Sequence, residues 1–222
     1  MMPFPGGIEA NANATLIFSL GAAIIYAFAL GMPQKLSHVA AKALAIVMLA
    51  VLAVMQGGPL LLAAALALSA VGDGLLSREG AREFLGGLAS LLLAQALYAV
   101  LFAFSGEGVG LVLAHPWRLI LGLVMAFGVV AMLALLRRRT QPSTHAPLLI
   151  AAVAILGMGL CALTVSSPWI VLGAVLLMAS SGLFALERLG ITPAAQQTAM
   201  RTVVWIAAYT GQAAITLGFL LT

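Results

Sequence analysis

Charge is what this sequence has least of. Asp, Glu, Lys and Arg together make up 7% of its 222 residues, against about 25% in a soluble domain. Its one cysteine, Cys161, sits inside an apolar run, which excludes an internal disulfide and a cysteine zinc site. His38, His115 and His145 are scattered without ligand spacing, so no metal site and no cofactor is expected. No basic segment precedes Thr15, only Glu9, so a cleavable signal peptide is not expected either. The net charge of +4 is small. Membrane orientation accounts for it better than a nucleic-acid partner does.

What fills the chain instead is apolar. Hydrophobic residues make up 64% and the mean hydropathy is +1.18, the composition of an integral membrane protein. At about 20 residues per span, the chain can cross the bilayer several times. Gly and Pro punctuation divides it into a tail, Met1–Ala14, and a single transmembrane domain, residues 15–222. Eight spans are expected: Thr15–Leu30, His38–Met55, Pro59–Leu76, Phe84–Phe104, Pro116–Leu136, Ala146–Val165, Pro168–Leu186 and Met200–Leu221. Pro33 closes the first span, and Pro59, Pro116 and Pro168 open others, where a missing N–H costs nothing.

Loop charges test this count. Lys35, Lys42, Arg78, Arg82, Arg137, Arg138, Arg139, Arg188 and Arg201 fall on one set of alternate loops and span ends, and Arg118 alone on the other. The positive-inside rule then puts the basic loops in the cytoplasm and both termini outside. The location expected on this reading is a bacterial inner membrane. Small residues such as Gly86, Gly87, Gly173 and Gly182 suit close helix packing in lipid. Gly72-Asp73-Gly74-Leu75-Leu76 also echoes Ser180-Ser181-Gly182-Leu183-Phe184, which allows a parallel repeat of two four-span halves.

Within this apolar frame Asp73 stands out, near the end of the third span. A charge at mid-membrane costs roughly 2.5–3.5 kcal/mol on insertion scales, so an intramembrane carboxylate is a functional candidate. The bland alternative is an interfacial carboxylate that caps a helix or pairs with Arg78 or Arg82. Lys42 enters from the same side, where it either serves a site or snorkels to the headgroups. Glu187, Arg188 and Arg201 also fall on that side. Gln95, Tyr98, Tyr209 and Gln212 lie inside spans. Tyr209 and Gln212 share a helix face. Ser180 and Ser181 either join them or bond their own helix carbonyls. Together these groups suggest a cavity opening to the cytoplasmic leaflet.

The same residues carry a resemblance. Gly72-Asp73-x-Leu75-Leu76, then Phe84-x-Gly86 and Gln95-x-x-Tyr98, resemble the YhhN family of membrane proteins. Lys42-Ala43-Leu44, Gly173-Ala174, Ser180-Ser181 and Tyr209-x-x-Gln212 are similar as well. The resemblance runs from about Lys42 to Gly218. It departs from the family pattern where Ser181 replaces an Asp, Gln95 a His and Ala43 a Pro.

The resemblance implies an eight-span bundle and a lysoplasmalogenase-like hydrolase, which cleaves the vinyl ether bond of a lysoplasmalogen to a fatty aldehyde and a glycerophospho-headgroup. Such chemistry needs an acid to protonate the vinyl carbon, stabilisation of an oxocarbenium-like cation, and a base for water. A carboxyl in a low-dielectric site suits the first task, and paired carboxylates at glycosidic bonds are the nearest analogy for the rest. On this reading Asp73 is catalytic. Lys42 or Arg201 holds the phosphate, Gln95, Tyr209 and Gln212 orient water, and Tyr98 and Ser181 complete the substrate site. The partner is then a single-chain lysophospholipid within the bilayer. With Ser181 in place of the second Asp, a lipid-binding relative without this turnover is the alternative. A small lipid or metabolite transporter is another, although Gly and Pro interruptions sit at span ends, not mid-span.

Overall fold

Ala- and Leu-rich runs of this length have one stable form in lipid. With no water to bond the backbone, each N–H and C=O must be satisfied inside the segment, and the helix does this. The computed structural model describes residues 3–7, 10–32, 36–78, 80–141, 145–188 and 196–221. Pro33 and Lys35, with Met1 and Glu9 of the tail, lie outside the described residues. Nine helices and no strand occur among those described: α1 (Asn11–Ala29), α2 (Leu36–Met55), α3 (Leu60–Leu76), α4 (Ala81–Ser105), α5 (Val109–Ala114), α6 (Pro116–Arg139), α7 (His145–Ala162), α8 (Pro168–Arg188) and α9 (Gln197–Leu220). Seven are long and apolar enough to cross a membrane. The shorter apolar helix is α3, at 17 residues, or roughly 25 Å of rise.

Two differences from the sequence reading have local causes. The stretch ahead of Thr15 is not a loose tail throughout, because α1 already begins at Asn11. Asn13 accepts a hydrogen bond from the Phe4 N–H (3.1 Å) and donates to the carbonyls of Phe4 (2.8 Å) and Gly7 (2.7 Å). This folds Phe4 onto Ala12 and Leu52, where it is buried. The loop ahead of Pro116 holds the unexpected one-and-a-half-turn helix α5. Elsewhere among the described residues the punctuation works as expected. Gly57, at φ +69°, ends α2, with Gly58 N–H bonded to the Ala53 carbonyl at 2.8 Å. That closure requires a left-handed residue, and glycine supplies it.

Helices α1, α2, α3 and α4 pack each on the next. From α4 the ring continues through α7, α8 and α9, which returns to α2 and α1. Tyr26, Leu49, Leu66, Phe102, Met158, Leu177 and Trp205, among others, form one buried cluster inside this ring. Helix α6 stands outside it, against α7 and α8, with Met125 packed beside Leu163 and Val171.

Glycines set the closest approaches. A Cβ at Gly72 would meet the Gly87 carbonyl at 3.0 Å, and one at Gly173 the Gly211 carbonyl at 2.5 Å. So α3–α4 and α8–α9 cross at paired glycines, as close packing in lipid favours.

Candidate functional site

The polar side chains concentrate at the end of the bundle where α1, α3 and α8 finish and α2, α4 and α9 begin. Asp73 is three residues from the end of α3, and Lys42 lies in the second turn of α2. Lys42 Nζ donates to Asp73 Oδ1 at 2.7 Å, and each side chain keeps 16% of its surface exposed. Asp73 thus pairs with Lys42, and its contact is neither Arg78 nor Arg82. Lys42 in turn does not simply reach for the headgroups.

Two aromatic rings frame that ion pair. The Lys42 ammonium stands 5.7 Å from the ring centroids of both Tyr26 and Trp205, within cation–π range. Those rings meet edge to face at 4.8 Å and 76°. Trp205 is fixed by its indole N–H, which donates to the Ala23 carbonyl at 3.0 Å. It stacks on Tyr209 at 5.9 Å. The Tyr209 hydroxyl shares a 2.9 Å hydrogen bond with Ser19, which donates to the Ala45 carbonyl. Helices α1, α2, α3 and α9 therefore meet around one carboxylate.

A second ion pair closes the same end. Arg201 Nε donates to Glu187 at 2.8 Å, with Arg201 half-exposed and Glu187 largely covered. Tyr26 lies within electrostatic reach of Asp73, Lys42, Glu187 and Arg201. Arg188 donates to the Leu76 carbonyl at 2.9 Å, and its guanidinium lies over Phe84 and Phe184. This ties the end of α8 to the end of α3 and the start of α4.

The remaining sequence candidates divide. Gln95, Tyr98 and Gln212 are buried deeper, roughly 20–25 Å along α4 and α9 from this end at 1.5 Å per residue. The Gln95 and Gln212 amide oxygens and the Tyr98 hydroxyl have no hydrogen-bond partner among the described residues. Ser180 and Ser181 both donate to the Leu177 carbonyl one turn back. That is the local bonding common for serine in helices. Reading the sequence missed Tyr26, Trp205 and Ser19. Trp205 could have been found, since it precedes Tyr209 and Gln212 at helical spacing. Tyr26 and Ser19 carry no such signal.

A family model for YhhN matches residues 37–219. The chain belongs to the YhhN family. The matched span includes both ion pairs, the Trp205–Tyr209 stack and the deeper Gln95, Tyr98 and Gln212. Tyr26 and Ser19, on α1, precede it. Comparison with curated proteins and with solved structures finds no match.

Proposed function

We propose that this YhhN-family protein is a lysoplasmalogenase-like hydrolase with Asp73 in the acid/base role. The observation that carries the reading is the Lys42–Asp73 pair, held between membrane helices beneath the faces of Tyr26 and Trp205. Charged residues in such helices are expensive and mark functional sites. In the reaction a proton moves to the outer vinyl carbon, leaving a cation on the carbon bonded to oxygen. The Lys42 ammonium passes a proton to the Asp73 carboxylate it bonds, and Asp73 delivers that proton to the outer vinyl carbon. The carboxylate and the aromatic faces then oppose the cation. Water adds to the cationic carbon and gives up a proton to the restored Asp73 carboxylate, and the neutral hemiacetal collapses to a fatty aldehyde and the glycerophospho-headgroup.

We assign Arg201 and Lys42 to the headgroup phosphate. Of Gln95, Tyr98, Tyr209 and Gln212, Tyr209 lies nearest the pair; the other three lie more than about 10 Å deeper, where their unpartnered amide oxygens and hydroxyl are free to bind the substrate farther into the bundle. Ser181, committed to its own helix, contributes little. An apolar groove of about 440 Å³ between α2 and α3, lined by Val47, Ala50, Val54, Ala63 and Ala67, offers a bed for the alkenyl chain. It starts about 8–9 Å along both helices from the ion pair. The seven long helices and the shorter α3 all span the membrane on this reading, with both termini outside and the site toward the cytoplasmic leaflet. The two four-span halves repeat in parallel.

Hydrolysis in D₂O tests the chemistry. Protonation at carbon predicts one deuterium on the aldehyde carbon next to the carbonyl. An unlabelled aldehyde would contradict it. A lipid-binding relative without turnover is the second reading. The observation favouring it is that Asp73 is already held by Lys42 while Ser181 offers no second acid.

A further inference from the structure

Among the described residues, Arg118 is the basic one set apart from the others. It lies near the start of α6, at the opposite end of the bundle, and is 3% exposed. Its Nη1 donates to the carbonyls of Leu163 (2.6 Å) and Val165 (2.7 Å), and its Nη2 to that of Ser166 (3.2 Å). Carbonyls satisfy N–H groups but leave the positive charge without a counterion. The ion pairs among the described residues, Lys42–Asp73 and Arg201–Glu187, do not include it. Its acidic neighbour, exposed Glu107, acts on it electrostatically without forming an ion pair. Nε is buried with no partner among the described residues.

Arg118 is among the residues lining an apolar groove of about 410 Å³ between α5, α6 and α7. The groove runs down α6 past Gly122 to Ala126, roughly 12 Å along the helix. A charge at the bundle end, continued by an apolar trough toward its middle, matches a lipid with an anionic headgroup and one acyl chain in contact. We infer that this groove is a binding site for an acidic phospholipid, with the headgroup phosphate as the counterion of Arg118. The site is separate from the Lys42–Asp73 end and independent of any hydrolase activity.

Trp117 reports on it, since the Arg118 guanidinium lies 4.8 Å from its ring centroid. With Trp169→Phe and Trp205→Phe in place, Trp117 is the remaining tryptophan. The protein is reconstituted into vesicles carrying brominated phosphatidylglycerol or brominated phosphatidylcholine. Half-quenching is expected at an about fivefold lower mole fraction of the phosphatidylglycerol, the worth of one basic side chain near an acidic lipid. Arg118→Gln removes that preference. Because the guanidinium also ties down the turn between α7 and α8, a second variant keeps it: Ala126→Phe fills the deep end of the groove and weakens quenching by phosphatidylglycerol. Equal quenching by the two lipids in the parent overturns the inference, as does a preference that survives in both variants. Loss of the preference to inorganic phosphate, but not to chloride at equal ionic strength, would assign the site to a free anion and overturn the lipid.

Discussion

Lys42 and Asp73 are each tolerable in these helices only because of the other. Removing one partner leaves a charge in a largely apolar setting. Lys42→Ala is therefore expected to cost about 1–3 kcal/mol, discounted for the partial exposure of the pair. Replacing both, as Lys42→Met with Asp73→Leu, should restore most of that stability, because apolar isosteres often substitute for a buried pair without loss. Thermal denaturation in detergent measures both. The functional reading adds that the double variant, though stable, has no turnover. A stable double variant with wild-type turnover would make the pair structural. Ser181→Ala is expected to keep turnover within about twofold, below 0.5 kcal/mol of barrier, since its hydroxyl serves the Leu177 carbonyl. A large loss in the aldehyde assay would return Ser181 to the site.

The same scale shows what the sequence could and could not disclose. Asp73 and Lys42 were legible as oddities in apolar runs, but their pairing was not, because helix rotation decides which charge faces which. Arg118 was legible as the one cation on its side. Its burial against three backbone carbonyls of a distant turn was not, since backbone acceptors leave no mark on the sequence.

Helices were easier to read than their termini. Apolar runs bounded by Gly and Pro located every long helix among the described residues, because helix formation in lipid is forced by backbone bonding. The start of α1 depended on the Asn13 side chain bonding back to Phe4, a tertiary contact. Helix α5 is too short to stand out in an already apolar stretch. Helix pairing was legible only as a wealth of glycine, and the structure separates crossing glycines from idle ones. Gly173→Ala would place a Cβ 2.5 Å from the Gly211 carbonyl and 2.6 Å from Ile215. It should force α8 and α9 apart at about 1–3 kcal/mol. Gly157→Ala meets nothing within 4 Å, so its thermal midpoint should match or exceed the wild type, given the helix propensity of alanine. Equal effects at the two positions would contradict the crossing-point account.

At the scale of the molecule, charge and fold agree. Every described Lys and Arg except Arg118 falls at the bundle end that holds the two ion pairs, the loop-charge asymmetry seen in three dimensions. Whether α3, with its 17 residues, crosses the bilayer decides between seven and eight spans. In a Cys161→Ser background, Gln56→Cys and Arg78→Cys flank α3. An impermeant maleimide should label the first only from outside and the second only from the cytoplasm. Labelling of both from one side would remove α3 from the spans and reverse the orientation of everything after it.

The central claim is that this fold cleaves a vinyl ether with Asp73. Purified protein is incubated with lysoplasmalogens of ethanolamine and of choline, beside Asp73→Asn, and fatty aldehyde is measured by mass spectrometry. The account predicts aldehyde and glycerophospho-headgroup from the wild type, with a rate at least about 100-fold lower in Asp73→Asn, the low end of what a general acid–base contributes. Lipid bound by both proteins with no aldehyde from either would contradict it and leave a lipid-binding member of the family.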